Sequence, residues 1–208
     1  MPSKRPFVPA LRALAPRHAA AHAGTFAGGR VSDTRGQSVC FVSQKVFKLK
    51  EDIQVFQDES RSRELYRIRA DKIFDFTTTY HFTDSSTGQA LGAIKSQGWT
   101  SIWRATYEVM NAEGVVTHRI TEDNPWIKII DSLVSQIEIV GIFTGFFLHP
   151  SYSAQDVNTA APDIRLKKES GLFEGRYSLN QVGEVSTNDE IRLMLSFMLI
   201  VQFMRRRG

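Results

Sequence analysis

Thr187–Arg207 reads TNDEIRLMLSFMLIVQFMRRR, and between Ile191 and Met204 only Arg192, Ser196 and Gln202 are polar. An amphipathic helix shows a polar stripe at a 3.6-residue period; a helix apolar on every side must be buried on every side or lie in lipid. The ends of this one are marked. Thr187 and Glu190 have the T-x-x-E spacing of a capping box. Asp189 and Glu190 fall at the positive end of the helix dipole, and Arg205, Arg206 and Arg207 at the negative end. Length then separates the two environments. The stretch from Ile191 to Met204 spans about 21 Å at about 1.5 Å per residue, whereas a bilayer core of about 30 Å asks for about 20 apolar residues. The expectation is a core helix with no transmembrane span; a tail anchor is the other reading, because three arginines can snorkel to a lipid surface.

What precedes this helix reads mostly as strand. Leu65–Lys72 alternates, with Tyr66, Ile68 and Ala70 on one face and Arg67, Arg69 and Asp71 on the other. Thr78–Asp84 places Tyr80 and Phe82 together, Ser85-Ser86-Thr87-Gly88 is a turn, and Ala90–Gln97 returns. Ser101–Met110 and Val115–Glu122 flank a second turn, Asn111–Gly114. Val39–Val42, Lys45–Leu49, Asp52–Asp58, Ser151–Val157, Asp163–Lys168, Arg176–Leu179 and Gln181–Val185 are further strand candidates. Asn124-Pro125 starts the exception: Trp126, Ile129, Ile130, Leu133 and Ile137 recur at helical spacing, so Pro125–Gln136 reads as one additional short amphipathic helix. Ile139–Leu148 is strongly apolar and too short to span a membrane.

A helix is about 10–12 Å across. An eight-stranded barrel is filled by its own side chains, and about eleven strands can enclose a helix. Residues 38–186 supply about twelve at the usual strand length. The expected fold is mainly β: a closed antiparallel barrel of about twelve strands around the buried C-terminal helix.

Charge divides the chain. Of 26 Lys/Arg and 22 Asp/Glu, residues 1–36 hold six Lys/Arg against Asp33 alone, leaving 20 Lys/Arg and 21 Asp/Glu for the remainder. A neutral body counts against a general nucleic-acid binder, which needs a basic face. Residues 1–37 are read as a disordered basic Ala/Arg-rich tail, with mitochondrial targeting as the alternative; residues 38–208 form the domain. The single Cys40 allows no internal disulfide and fits a reducing, cytoplasmic setting.

The segment DSSTGQALGAIKSQGWTSIWRATYEVMNAEG (Asp84–Gly114) resembles the D-x-x-TG…G-x-(I/L)-(K/R)…W/Y-E-(I/V)…G core of the LURP-one-related proteins, which are grouped with the phospholipid scramblases in the tubby C-terminal-like superfamily. The polar, acid-bearing lead and apolar ending of Asn188–Arg207 resemble that family's C-terminus. The resemblance implies a twelve-stranded barrel enclosing the last helix, and association with phospholipid at a membrane surface. No phosphoinositide-binding lysine/arginine pattern of the tubby proteins carries over onto this chain.

Catalytic motifs are missing. His81, His118 and His149 have no H-x-x-x-H or H-E-x-x-H spacing and read as partly exposed structural residues, no serine sits in G-x-S-x-G, and no glycine pattern matches a phosphate or dinucleotide loop. No cofactor or metal is expected, and no enzyme activity. Two surfaces remain. Arg67, Arg69, Lys95, Arg104 and Arg119 form a candidate patch for an anionic ligand, against the plainer reading of a solvated wall with cross-strand acid partners. Ile142, Phe143, Phe146 and Phe147 form a candidate apolar contact surface. The expected function is a non-catalytic binding or scaffold protein whose partner is anionic phospholipid. A protein–protein adaptor with no small ligand and scramblase-like lipid transport are the alternatives.

Overall fold

The computed structural model describes residues 23–27, 29–33, 35–46, 51–71, 78–97, 106–123, 151–169 and 176–207. Twelve strands are found there: β1 (Ala23–Ala27), β2 (Arg30–Asp33), β3 (Ser38–Val46), β4 (Glu51–Phe56), β5 (Glu64–Ala70), β6 (Thr79–Asp84), β7 (Ala90–Ser96), β8 (Thr106–Met110), β9 (Val116–Asp123), β10 (Ser151–Asp156), β11 (Pro162–Glu169) and β12 (Arg176–Gln181). One helix, α1 (Thr187–Arg207), follows. Each strand pairs antiparallel with its neighbour in sequence, and β1 pairs with both β2 and β12, so the order closes on itself.

Strand alternation decides what faces inward. Ile53, Ile68, Phe82, Ile94, Val109, Ile120, Ile164, Leu166 and Leu179 are 0% exposed. Tyr66, Ile68 and Ala70 of β5 are buried while Arg69 between them is exposed, as the alternation requires. The helix fills the space these side chains surround. Every residue from Leu193 to Val201 is at most 5% exposed. Nine consecutive positions cover more than two helical turns, so no side of α1 is open there. The buried Ser196 hydroxyl donates to the Arg192 carbonyl at 2.8 Å, which satisfies it inside the helix.

Topology gives the two ends of the sheet different characters. The turns β2–β3, β4–β5, β6–β7, β8–β9 and β10–β11 share one end, the turn end, and the connection from β12 into α1 lies there too. The helix therefore runs from the turn end to the opposite end. Arg192 lies against Leu91 at the start of β7, while the Phe203 ring packs edge-on against Tyr80 at the start of β6, with centroids 5.4 Å apart.

The structure corrects the sequence reading in four places. Residues 23–33, assigned above to the tail, form β1 and β2. Their Gly and Ala content hides them; pairing with β12 and β3 makes them strands. Gln181–Val185 is not a strand: β12 runs to Gln181, and Val182 and Gly183 turn back to donate to the Asp163 carbonyl at 2.7 and 3.0 Å. The helix cap sits one residue earlier than expected. Ser186 Oγ accepts from the Asp189 amide at 3.2 Å and donates to the Asp189 carboxylate at 2.5 Å, so the box is Ser186 with Asp189. Glu190 is thereby freed to turn into the interior, where it is 2% exposed. His118, read as partly exposed, is buried at 3%, because it shares the inward parity of Ile120. The expected helix Pro125–Gln136, the apolar Ile139–Leu148 stretch and residues 1–22 lie outside the described residues.

Candidate functional site

The candidate anionic patch is distributed over three strands of the outer wall. Arg67 and Arg69 lie on β5, Lys95 on β7 and Arg119 on β9; Arg104 lies outside the described residues, as do Ile142, Phe143, Phe146 and Phe147. Acids stand across from them. Arg67 grips the Asp52 carboxylate with two hydrogen bonds of 2.8 and 2.5 Å, and Arg69 Nε lies 3.8 Å from the same carboxylate. Arg119 Nε is 3.8 Å from Glu108, and Lys95 is in register with Glu108 across β7 and β8. The bidentate Arg67–Asp52 pair is the strong form of this interaction. Arg69 is 61% exposed, so its looser pair contributes little. The wall thus reads as alternating charge rather than as a concentrated cationic site.

A second cluster, which sequence reasoning passed over, lies inside the turn end where α1 begins. His118 of β9 sits between two carboxylates: Nε2 is 3.8 Å from Asp163 of β11, and Nδ1 is 3.7 Å from Asp189 of α1. These separations exceed a hydrogen bond. Nδ1 lies 3.0 Å from the Thr117 hydroxyl. Arg192, 12% exposed, donates to Asp189 at 2.5 Å and to the Leu91 carbonyl at 3.4 Å. Asp163 accepts from the Asp156 amide at 2.8 Å. Burial acts first on the Asp189 carboxyl and pushes it up, but the hydrogen bonds from Ser186 and Arg192 and the charges of Arg192 and His118 outweigh this, and the net shift is downward. Chemically, the cluster gathers two carboxylates, a guanidinium and an imidazole. It fastens the helix start to β7, β9 and β11. The sequence signal was available: in Val116–Asp123, His118 shares the parity of Ile120.

Glycine makes the fit between helix and sheet possible. At Gly92 a Cβ would overlap the Met110 carbonyl oxygen and lie 2.8 Å from Arg192 Cδ, and its φ of +140° is open to few other residues.

Among the described residues, no group of three or more His, Cys, Asp or Glu side chains is arranged to hold a metal. No helix among them is long and apolar enough to cross a membrane.

No curated protein and no solved structure matches the chain significantly. The family model described as LURP-one-related matches residues 38–192, which runs from the first residue of β3 into α1 and covers more than half of the 208 residues. With its antiparallel sheet and buried last helix, this chain belongs to the LURP-one-related family, within the tubby-like superfamily.

Proposed function

We propose that this domain is a non-catalytic binding or scaffold module that associates with phospholipid at a membrane surface. One observation carries the reading. The interior is occupied by the protein's own helix, with Leu193, Phe197, Leu199 and Ile200 at 0% exposure, so recognition falls to the outer surface. The phospholipid part comes from the kinship with the tubby-like superfamily. Scramblase-type transport would need α1 in lipid, and its packing against the sheet argues against that. Sedimentation with anionic and with neutral liposomes tests the proposal. The expected result is protein in the anionic pellet only; absence from both pellets would remove the membrane reading and leave a protein partner as the occupant of the surface.

A further inference from the structure

The two ends of the sheet differ in charge as well as in topology. At the turn end the described acids outnumber the bases: Asp58, Glu59, Asp84, Glu113, Asp156 and Glu184 lie in or beside the turns, against Arg35, Arg61, Arg63 and Arg30, which pairs with Glu59. At the opposite end the balance is basic. Lys95 lies one residue from the end of β7, Lys167 and Lys168 precede Glu169 at the end of β11, Arg176 opens β12, and α1 delivers Arg205. Acids are present there too; Asp52, at the start of β4, is paired with Arg67.

Part of the basic end is a cluster at the mouth of the sheet. Lys168 is in register with Tyr177, and Glu169 with Arg176. Lys168 has the inward parity of the buried Ile164 and Leu166, but at the rim it is half-exposed. Arg205 is exposed and close enough to Tyr177 to act on its hydroxyl electrostatically. The negative end of a helix dipole amounts to about half an elementary charge. Arg205 alone exceeds it, so the helix end contributes net positive charge to the mouth.

We infer that the end of the sheet around Lys168, Arg176 and Arg205 docks on an anionic phospholipid surface, with the acidic turn end held away from it. The inference rests on the membrane reading given above and adds an orientation to it. Charge complementarity selects the occupant: an anionic leaflet attracts clustered basic residues and repels the carboxylates of the turn end. Each basic residue brought to such a surface is worth roughly a five-fold factor in affinity, and the effect is screened beyond about 10 Å at ordinary salt.

The test uses the full chain and phosphatidylcholine vesicles with and without phosphatidylserine, the former also carrying a lipid-borne quencher. Cys40 is buried and its thiol is pushed up to about 12, so a dye goes to an introduced cysteine. Asp71→Cys reports the basic end and Glu113→Cys the turn end, both at exposed positions. The expected result is quenching at position 71 and none at 113. Lys168→Glu with Arg176→Glu should weaken sedimentation with the anionic vesicles by roughly 25-fold or more. Failure of the unaltered chain to bind overturns the membrane reading and this inference with it. Binding with quenching at position 113, or unchanged affinity in the folded double variant, overturns the orientation and leaves the membrane reading standing.

Discussion

Gly92→Ala is the smallest change that tests how tightly the helix and sheet are fitted. Gly92 lies on β7 opposite Phe82, at a register shift in the β6–β7 ladder. Two costs apply. The φ of +140° lies outside the regions open to alanine, a strain of about 1–3 kcal/mol. The added methyl must also displace the Met110 carbonyl or the Arg192 side chain, and overpacking of this kind costs about 1–3 kcal/mol. The sum, about 2–6 kcal/mol, is a large part of a typical domain stability of about 5–15 kcal/mol. Urea unfolding followed by circular dichroism measures it. With a slope of about 1–3 kcal/mol per molar, the midpoint should fall by about 1 M or more. Gly88→Ala is the control, because Gly88 has a φ of +72° but nothing within 4 Å of its Cβ position. It should lose only the left-handed backbone cost of about 1–2 kcal/mol. Equal midpoints for the two variants would refute the crowding argument.

Four further outcomes follow from the packing and the buried cluster. Phe197→Ala removes a ring that is 0% exposed and should cost about 3–5 kcal/mol, read as a drop in the thermal midpoint. Asp189→Asn should destabilise at neutral pH by leaving Arg192 without its carboxylate, while Arg69→Ala on the wall should change stability by less than about 1 kcal/mol. The pH dependence has a definite sign: the Asp189 carboxyl is shifted downward on folding, so its contribution is present above the unfolded value near 3.9 and is lost as pH falls through the folded value. Thermal midpoints between pH 2 and 6 should therefore fall less steeply in acid for Asp189→Asn than for the unaltered protein. Cys40, buried with its thiol pushed up to about 12, should resist thiol reagents in the native state and react at the rate of unfolding; rapid native labelling would contradict its burial.

Much of the architecture was legible because it rests on local pattern. The alternation of Tyr66, Ile68 and Ala70 against Arg67 and Arg69 fixed the inward face of β5, and the apolar run after Asp189 fixed a helix buried on all sides. Features that depend on distant partners were hidden. Ala23–Ala27 lacks strand propensity and is ordered by Tyr177 to Asn180 on one side and Arg30 to Asp33 on the other. The His118–Asp163–Asp189–Arg192 cluster joins three elements far apart in sequence, so no motif spacing reveals it. The candidate patch shows the opposite difficulty. Arg67 and Arg119 are visible as cations in sequence, but their cross-strand acids, Asp52 and Glu108, follow only from register.

Amide hydrogen exchange along α1 tests the central claim most directly, because a helix enclosed by the sheet cannot open without opening the sheet. Leu193 to Val201 should exchange only through global unfolding, with the free energy and urea dependence of the whole domain. Exchange there through a smaller opening, with little urea dependence and with the strands still protected, would contradict the enclosure of the helix.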